Sequence, residues 1–288
     1  MPIWYKKIGI PVLGLALILL HWWIDEVRPD RLLFQVNSLA NVSFFETKYL
    51  YCWAHLVTIV PILLLSFDRK VAYYRQWKYV FPALLIVALP FWVWDSVKTA
   101  QQVWGFNPRY YAFLVGNLPI EEWLFFITFP WASVFIYECL NSYFPTTRFL
   151  KVLRRNDRIL SILLVAFFFA VGVLFWGHLY TVTTFWTASA LLCWQFLAGD
   201  AAVRVRFYRL FPLATLAFIA INAVFTGAFT QQPIVVYNPE EYLGIRFFTI
   251  PLDDFAYNFS LQLAAIAVYE RLKNKYSVTQ NQKLTTNN

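Results

Sequence analysis

Charge is scarce in this chain: Asp, Glu, Lys and Arg make up 14% of its 288 residues, while 60% are hydrophobic and 20% aromatic. A soluble core cannot hide that much apolar surface, so the composition excludes a water-soluble globular protein. Cysteine is scarcer still. Cys52, Cys139 and Cys193 are widely spaced and sit within or at the ends of apolar runs, which argues against a disulfide framework or a paired-cysteine metal site. His21, His55 and His178 have no second His, Cys or acid at ligand spacing, so no metal is expected and all three read as structural. Also missing are the Gly-x-Gly-x-x-Gly and Gly-x-x-x-x-Gly-Lys loops, a Ser or Cys nucleophile signature and paired Asp-x-x-Asp motifs, which disfavours a nucleotide or diphosphate–magnesium substrate.

What the chain does have is apolar runs that reach or approach membrane-spanning length. They predict helices near 8–24, 48–67, 79–97, 119–140, 158–176, 180–198, 210–229 and 247–270. The first run follows Lys6 and Lys7 as a signal peptide would, but ends in His21-Trp22-Trp23 without a small-residue cleavage site, so it is expected to stay as a helix. The formal net charge of +8 could suggest nucleic acid, yet the basic residues fall in short clusters between apolar runs rather than along one face, so no nucleic acid is expected. Alternating the loops between two sides leaves only Arg28, Arg31, Lys48, Lys98, Arg109 and Arg246 on one side, with the other eighteen of the 24 basic residues opposite. By the positive-inside rule both termini then face the cytoplasm of a multi-pass protein of the cell membrane.

An internal repeat runs through the same sequence. Phe81-Pro82 returns as Phe211-Pro212, Asn107-Pro108 as Asn238-Pro239, Pro119-Ile120-Glu121-Glu122 as Pro251-Leu252-Asp253-Asp254, and Tyr137-Glu138 as Tyr269-Glu270, at offsets of 130, 131, 132 and 132. Four landmarks in order at near-constant offset divide the chain into a first repeat, 1–157, and a second, 158–276, followed by a polar tail, 277–288, expected to be disordered. The fold class expected is therefore an all-α integral membrane protein of about eight transmembrane helices, arranged as two parallel four-helix repeats.

The chemistry-bearing residues sit at those landmarks. Each half sets a proline and two acids at a helix start, where helix capping alone would account for them. Asp253 and Asp254, however, read as lying inside the apolar run that begins at Phe247, and an acid at the bilayer centre costs roughly 2.5–3.5 kcal/mol. Both pairs should then face a polar interior, with Tyr257, Asn258 and Gln262 beside the second at helical spacing. Asp95 has Phe225 at its repeat position and reads as catalytic or orienting, and the Asn107 and Asn238 loops read as lids or as ordinary turns. Glu138 and Glu270, each after a tyrosine, read as interface anchors near Arg or Lys.

Phe106-Asn107-Pro108, Leu118-Pro-Ile-Glu-Glu122 with Phe125-Phe126, and Tyr137-Glu138, together with Asn238-Pro239, Ile250-Pro-Leu-Asp-Asp254 and Tyr269-Glu270, resemble the membrane lycopene cyclase domain. That domain occurs as two small subunits in some bacteria and as fused repeats in archaea and fungi, and the resemblance covers roughly 48–271 of this chain. It implies a lipophilic carotene, lycopene, as substrate, membrane lipid as surroundings, and no cofactor. It also implies association with other carotenoid enzymes or a second copy. The fungal relatives append a phytoene synthase, for which 288 residues leave no room, so one activity is expected.

The implied reaction is redox-neutral: lycopene is cyclised to gamma-carotene and beta-carotene by protonation of a terminal alkene, alkene attack on the cation and loss of a ring proton. Glu121, Glu122, Asp253, Asp254 and Asp95 are the candidate catalytic residues, one carboxyl of a pair giving a proton and another receiving one. Trp123, Phe125, Phe126 and Tyr257 are candidates to steady the cation, and Asn107, Pro108, Asn238 and Asn258 to line the substrate site. Two other functions fit the same acids. A trapped water would make the protein a carotenoid end-group hydratase or related terpenoid enzyme, and proton coupling at a repeat interface would make it a carrier.

Overall fold

The computed structural model describes residues 39–286, with side chains described as far as residue 275. The predicted span 8–24 and His21 lie outside the described residues. Among the described residues there are seven α-helices: α1 (Leu50–Leu65), α2 (Trp77–Ala100), α3 (Ile120–Tyr143), α4 (Arg148–Leu174), α5 (Leu179–Ala198), α6 (Ala201–Phe225) and α7 (Leu252–Thr286). Three antiparallel strand pairs join them, built from β1 (Trp104–Phe106), β2 (Leu114–Val115), β3 (Leu118–Pro119), β4 (Val235–Tyr237), β5 (Arg246–Phe247) and β6 (Ile250–Pro251).

Four segments, Tyr73–Ala100, Ile120–Tyr143, Arg148–Leu174 and Ala201–Phe225, are long and apolar enough to cross a membrane, which makes the chain a nearly all-α membrane protein. The predicted spans at α1, α5 and α7 are helical too, but fall short in length or hydropathy, and for a physical reason. Helix α5 carries Thr181, Thr183, Thr184 and Thr187, and α7 carries Asn258, Ser260 and Gln262, all of them buried. A helix screened from lipid by its neighbours does not have to be apolar. The outer helices show the opposite pattern, with Leu64, Leu89, Leu163 and Leu216 turned outward, as lipid as solvent requires.

The span expected at 247–270 begins later than its hydropathy suggested. Residues Arg246–Pro251 form the β5–β6 hairpin, and the helix starts at Leu252, so Asp253 and Asp254 occupy its first turn rather than the middle of a span. Their counterparts Glu121 and Glu122 sit likewise in the first turn of α3, after the β2–β3 hairpin. Gly116, at φ 66°, supplies the left-handed residue that a two-residue hairpin turn needs. At its other end α7 continues to Thr286, through most of the polar 277–288 segment, because each added residue gains a hydrogen bond on an existing helix.

The repeat is visible in the pairing itself. Strands β1 and β4 join with Gly105 opposite Val236, Trp104 opposite Tyr237 and Phe106 opposite Val235. Positions 131 residues apart thus exchange roles about the Gly105–Val236 pair, as a two-fold axis through it demands. The flanking bonds exchange in the same way: Asn107 N–H donates to Ile234 at 2.8 Å, and Asn238 N–H to Val103 at 2.9 Å.

The opposite ends of α3 and α7 are tied by a crossed pair. Tyr137 Oη donates to Glu270 at 2.6 Å and Tyr269 Oη to Glu138 at 2.8 Å. Arg206 lies 3.3 Å from Glu270 and Lys273 2.9 Å from Glu138. Hydrogen bonds to charged groups contribute about 1.5–3 kcal/mol each, so Tyr137→Phe should destabilise the protein by about that much, read as a lowered unfolding midpoint in detergent. An unchanged midpoint would mean that the halves are held elsewhere.

Candidate functional site

Each acid pair divides its labour by helical geometry. Successive helical residues point about 100° apart, so the two carboxyls of a pair cannot face the same space. The first acid turns back to the loop: Glu121 accepts from Ala112 N–H at 2.8 Å and from Cys52 Sγ at 2.9 Å, and Asp253 from Leu243 N–H at 3.2 Å and Thr181 Oγ1 at 2.5 Å. These are equivalent contacts in the two halves. Both carboxyls fix the approach of a loop to its helix, and neither lines the cavity that the second acids share.

The second acid of each pair turns inward. Glu122 and Asp254, from different halves, line one cavity together with Asp95 of α2. All three are nearly fully buried, and no ion pair among the described residues includes any of them. Tyr51 donates to Glu122, and Tyr180 donates to Asp254 at 2.6 Å, again as repeat equivalents.

There the equivalence stops. Asp254 also accepts from Tyr237 Oη at 2.8 Å and from Asn222 Nδ2 at 2.7 Å. The matching positions beside Glu122 are Phe106 and Trp92, and Phe has no hydrogen to give. Glu122 therefore receives one hydrogen bond where Asp254 receives three. The phenol of Tyr237, in the loop strand β4, is pushed well above its ordinary range by burial and by the neighbouring Asp254 carboxylate, so it keeps its proton and remains a donor. Asp95 is the third departure. Trp104 donates to it, its Oδ2 has no partner among the described residues, and its repeat counterpart Phe225 presents a ring to the same cavity.

Of the residues singled out from sequence, the structure brings Glu122, Asp254, Asp95, Phe125 and Tyr257 together around this space. Phe125 and Tyr257 are repeat equivalents one turn beyond the acids. Asn258 lines a second, adjoining space. Phe126 packs against Phe91 and Phe125 outside both. Trp123 donates to Val115 O at 3.1 Å and braces the β2–β3 hairpin. Asn107 and Asn238 accept from Arg109 N–H and Glu240 N–H, each at 3.1 Å, which closes tight turns at Pro108 and Pro239. The strands just before those turns are what cover the cavity, through Trp104, Phe106, Val235 and Tyr237.

Tyr51, Tyr180, Tyr237, Asn222 and Trp104 were not singled out. Leu50-Tyr51 recurs as Leu179-Tyr180 at an offset of 129, a signal the repeat could have yielded. His55 is buried and stacks on Tyr51, and His178 Nδ1 meets Glu240 O at 2.7 Å.

A family model described as "Lycopene cyclase" matches residues 48–140 and 177–272, one block in each half. No curated protein and no solved structure matches the chain.

Proposed function

The chain belongs to the lycopene cyclase family, and from that membership we propose that it closes rings on the ends of linear lycopene by proton transfer, giving first gamma-carotene and then beta-carotene. One observation carries the mechanism: three carboxyl groups, none of them in an ion pair among the described residues, share a small cavity walled by aromatic rings. Proton-initiated cyclisation needs an acid, a wall that tolerates a cation and a base, and nothing that moves electrons to or from a second molecule.

The hydrogen bonds favour one division of roles. A carboxylate only accepts, and three donors converge on Asp254, so Asp254 serves as base. Glu122, with one donor, is free to carry the proton. Its proton adds to C2 of the terminal C1=C2 alkene and leaves a tertiary cation at C1. The C5=C6 electrons form the C1–C6 bond, the charge moves to C5, and loss of the C6 proton to Asp254 sets the ring double bond. One proton enters and one leaves. Phe125, Phe225 and Tyr257 present rings to the cation, a contribution of up to about 2 kcal/mol each when desolvated. Asp95, held by Trp104, is a third carboxyl facing the same space. Both termini lie on the cytoplasmic side in this reading, which puts the cavity toward the outer face.

Expression in a bacterium that accumulates lycopene tests substrate and reaction together. The red pigment is expected to give way to monocyclic and bicyclic carotenes on chromatography. Unchanged lycopene, with the protein present in membranes, would refute the reading.

A further inference from the structure

Resting on the cyclase reading above, we propose that a second chamber, deeper than the acid cavity, holds the polyene body of the substrate and admits it sideways from the bilayer. The chamber shares Phe125, Phe218, Asn222 and Phe225 with the acid cavity, so the two spaces adjoin at those four side chains. Along α3 its lining runs from Phe125 to Ile136. Eleven residues of helix at 1.5 Å each make it roughly 16 Å deep. A chain whose end lies against Glu122 would thus extend away from the acids, along the helices.

Its width comes from small side chains. Ala132 on α3 and Ala214 and Ala217 on α6 face the space where neighbouring turns carry Phe and Ile. Ala217 is exposed, so the chamber reaches the lipid-facing surface there. A substrate dissolved in the bilayer would enter at that point without crossing water.

Two buried amides favour a polyene over a saturated lipid tail. Asn258 and Gln262 are 7% and 4% exposed, and both line the chamber. Gln262 Nε2 donates to Asn258 Oδ1 at 2.6 Å, which leaves Asn258 Nδ2 and Gln262 Oε1 without a partner among the described residues. Unpartnered polar atoms in an apolar chamber are costly, and an acyl chain offers them nothing. A conjugated polyene presents π electrons along its length, and N–H against a π face is a known weak contact. The rings of Phe125, Phe129, Phe218 and Phe225 complete a lining suited to the same flat ligand.

The test uses Glu122→Gln purified from lycopene-accumulating cells, with pigment per protein read by visible absorption and by induced circular dichroism of the polyene band. This variant is expected to hold lycopene and show the dichroism. Adding Ala214→Trp or Ala132→Trp, on different walls, should lower bound pigment at least tenfold. Equal pigment and dichroism in both double variants would overturn the proposal. As a check that does not depend on bulky variants folding, Ala217→Cys added to Glu122→Gln should be alkylated in membranes several-fold more slowly when the cells contain lycopene, read by peptide mass. Equal rates with and without lycopene would also overturn it. Failure of the cyclase reading is distinguishable, because then the wild-type chain leaves lycopene linear whether or not pigment is bound.

Discussion

Glu122→Gln is expected to slow ring closure by about 10²- to 10⁴-fold, the usual contribution of a positioned general acid. Glutamine keeps the size of the side chain and can still accept from Tyr51, so the lost function is the transferable proton alone. Glu121→Gln should retain far more activity. The Glu121 carboxyl answers Ala112 N–H and Cys52 outside the cavity, and an amide can still accept there. The two neighbouring glutamates therefore give opposite results if the cavity is the reaction site. Initial rates of cyclic carotene formation in membranes, compared at equal protein, decide the matter. A Glu122→Gln rate within tenfold of wild type, or a larger loss at Glu121, would remove Glu122 from the acid role.

Asp157→Ala should be the most damaging substitution for stability, at about 3–5 kcal/mol. Arg204 of α6 reaches Asp157 of α4 through Nη2 at 2.5 Å and Nε at 3.1 Å, and its Nη1 donates to Gln195 O at 2.8 Å. The two side chains are 5% and 9% exposed. Removing the carboxylate strands a guanidinium where water cannot reach it. Replacing both partners by apolar residues, Asp157→Leu with Arg204→Met, should recover most of the loss, since no unpaired charge remains. Unfolding midpoints of the single and double variants in one detergent give the comparison. A single variant as stable as wild type would show that Arg204 finds another partner or water.

The sequence carried the membrane class, the repeat and the acids, because each rests on a pattern that survives without coordinates. Apolar length is fixed by bilayer thickness, and Pro-acid-acid before an apolar run marks a helix start in either half. What stayed hidden follows from the same physics. The hairpin at Arg246–Pro251 contains Phe247, Phe248 and Ile250, which hydropathy cannot tell from the start of a span. Tyr237 and Asn222 were invisible because comparing the halves highlights what is shared, and their counterparts are Phe106 and Trp92. The residues that make the two acids unequal are the ones a repeat search discards. Asp95 was found for the converse reason, as an acid with no counterpart.

The crossed tyrosine–glutamate pair also bears on which halves can join. Arg206 and Lys273, the cations that meet Glu270 and Glu138, both belong to the second half, and the first half has Gln76 and Asn141 at those positions. Two copies of the first half, assembled on the same plan, would bring together two buried glutamates with no cation to meet them. Unlike halves are spared that penalty. The charge arrangement is thus a rule of partner choice, one that would keep the first half from pairing with itself even if the two halves were made as separate chains.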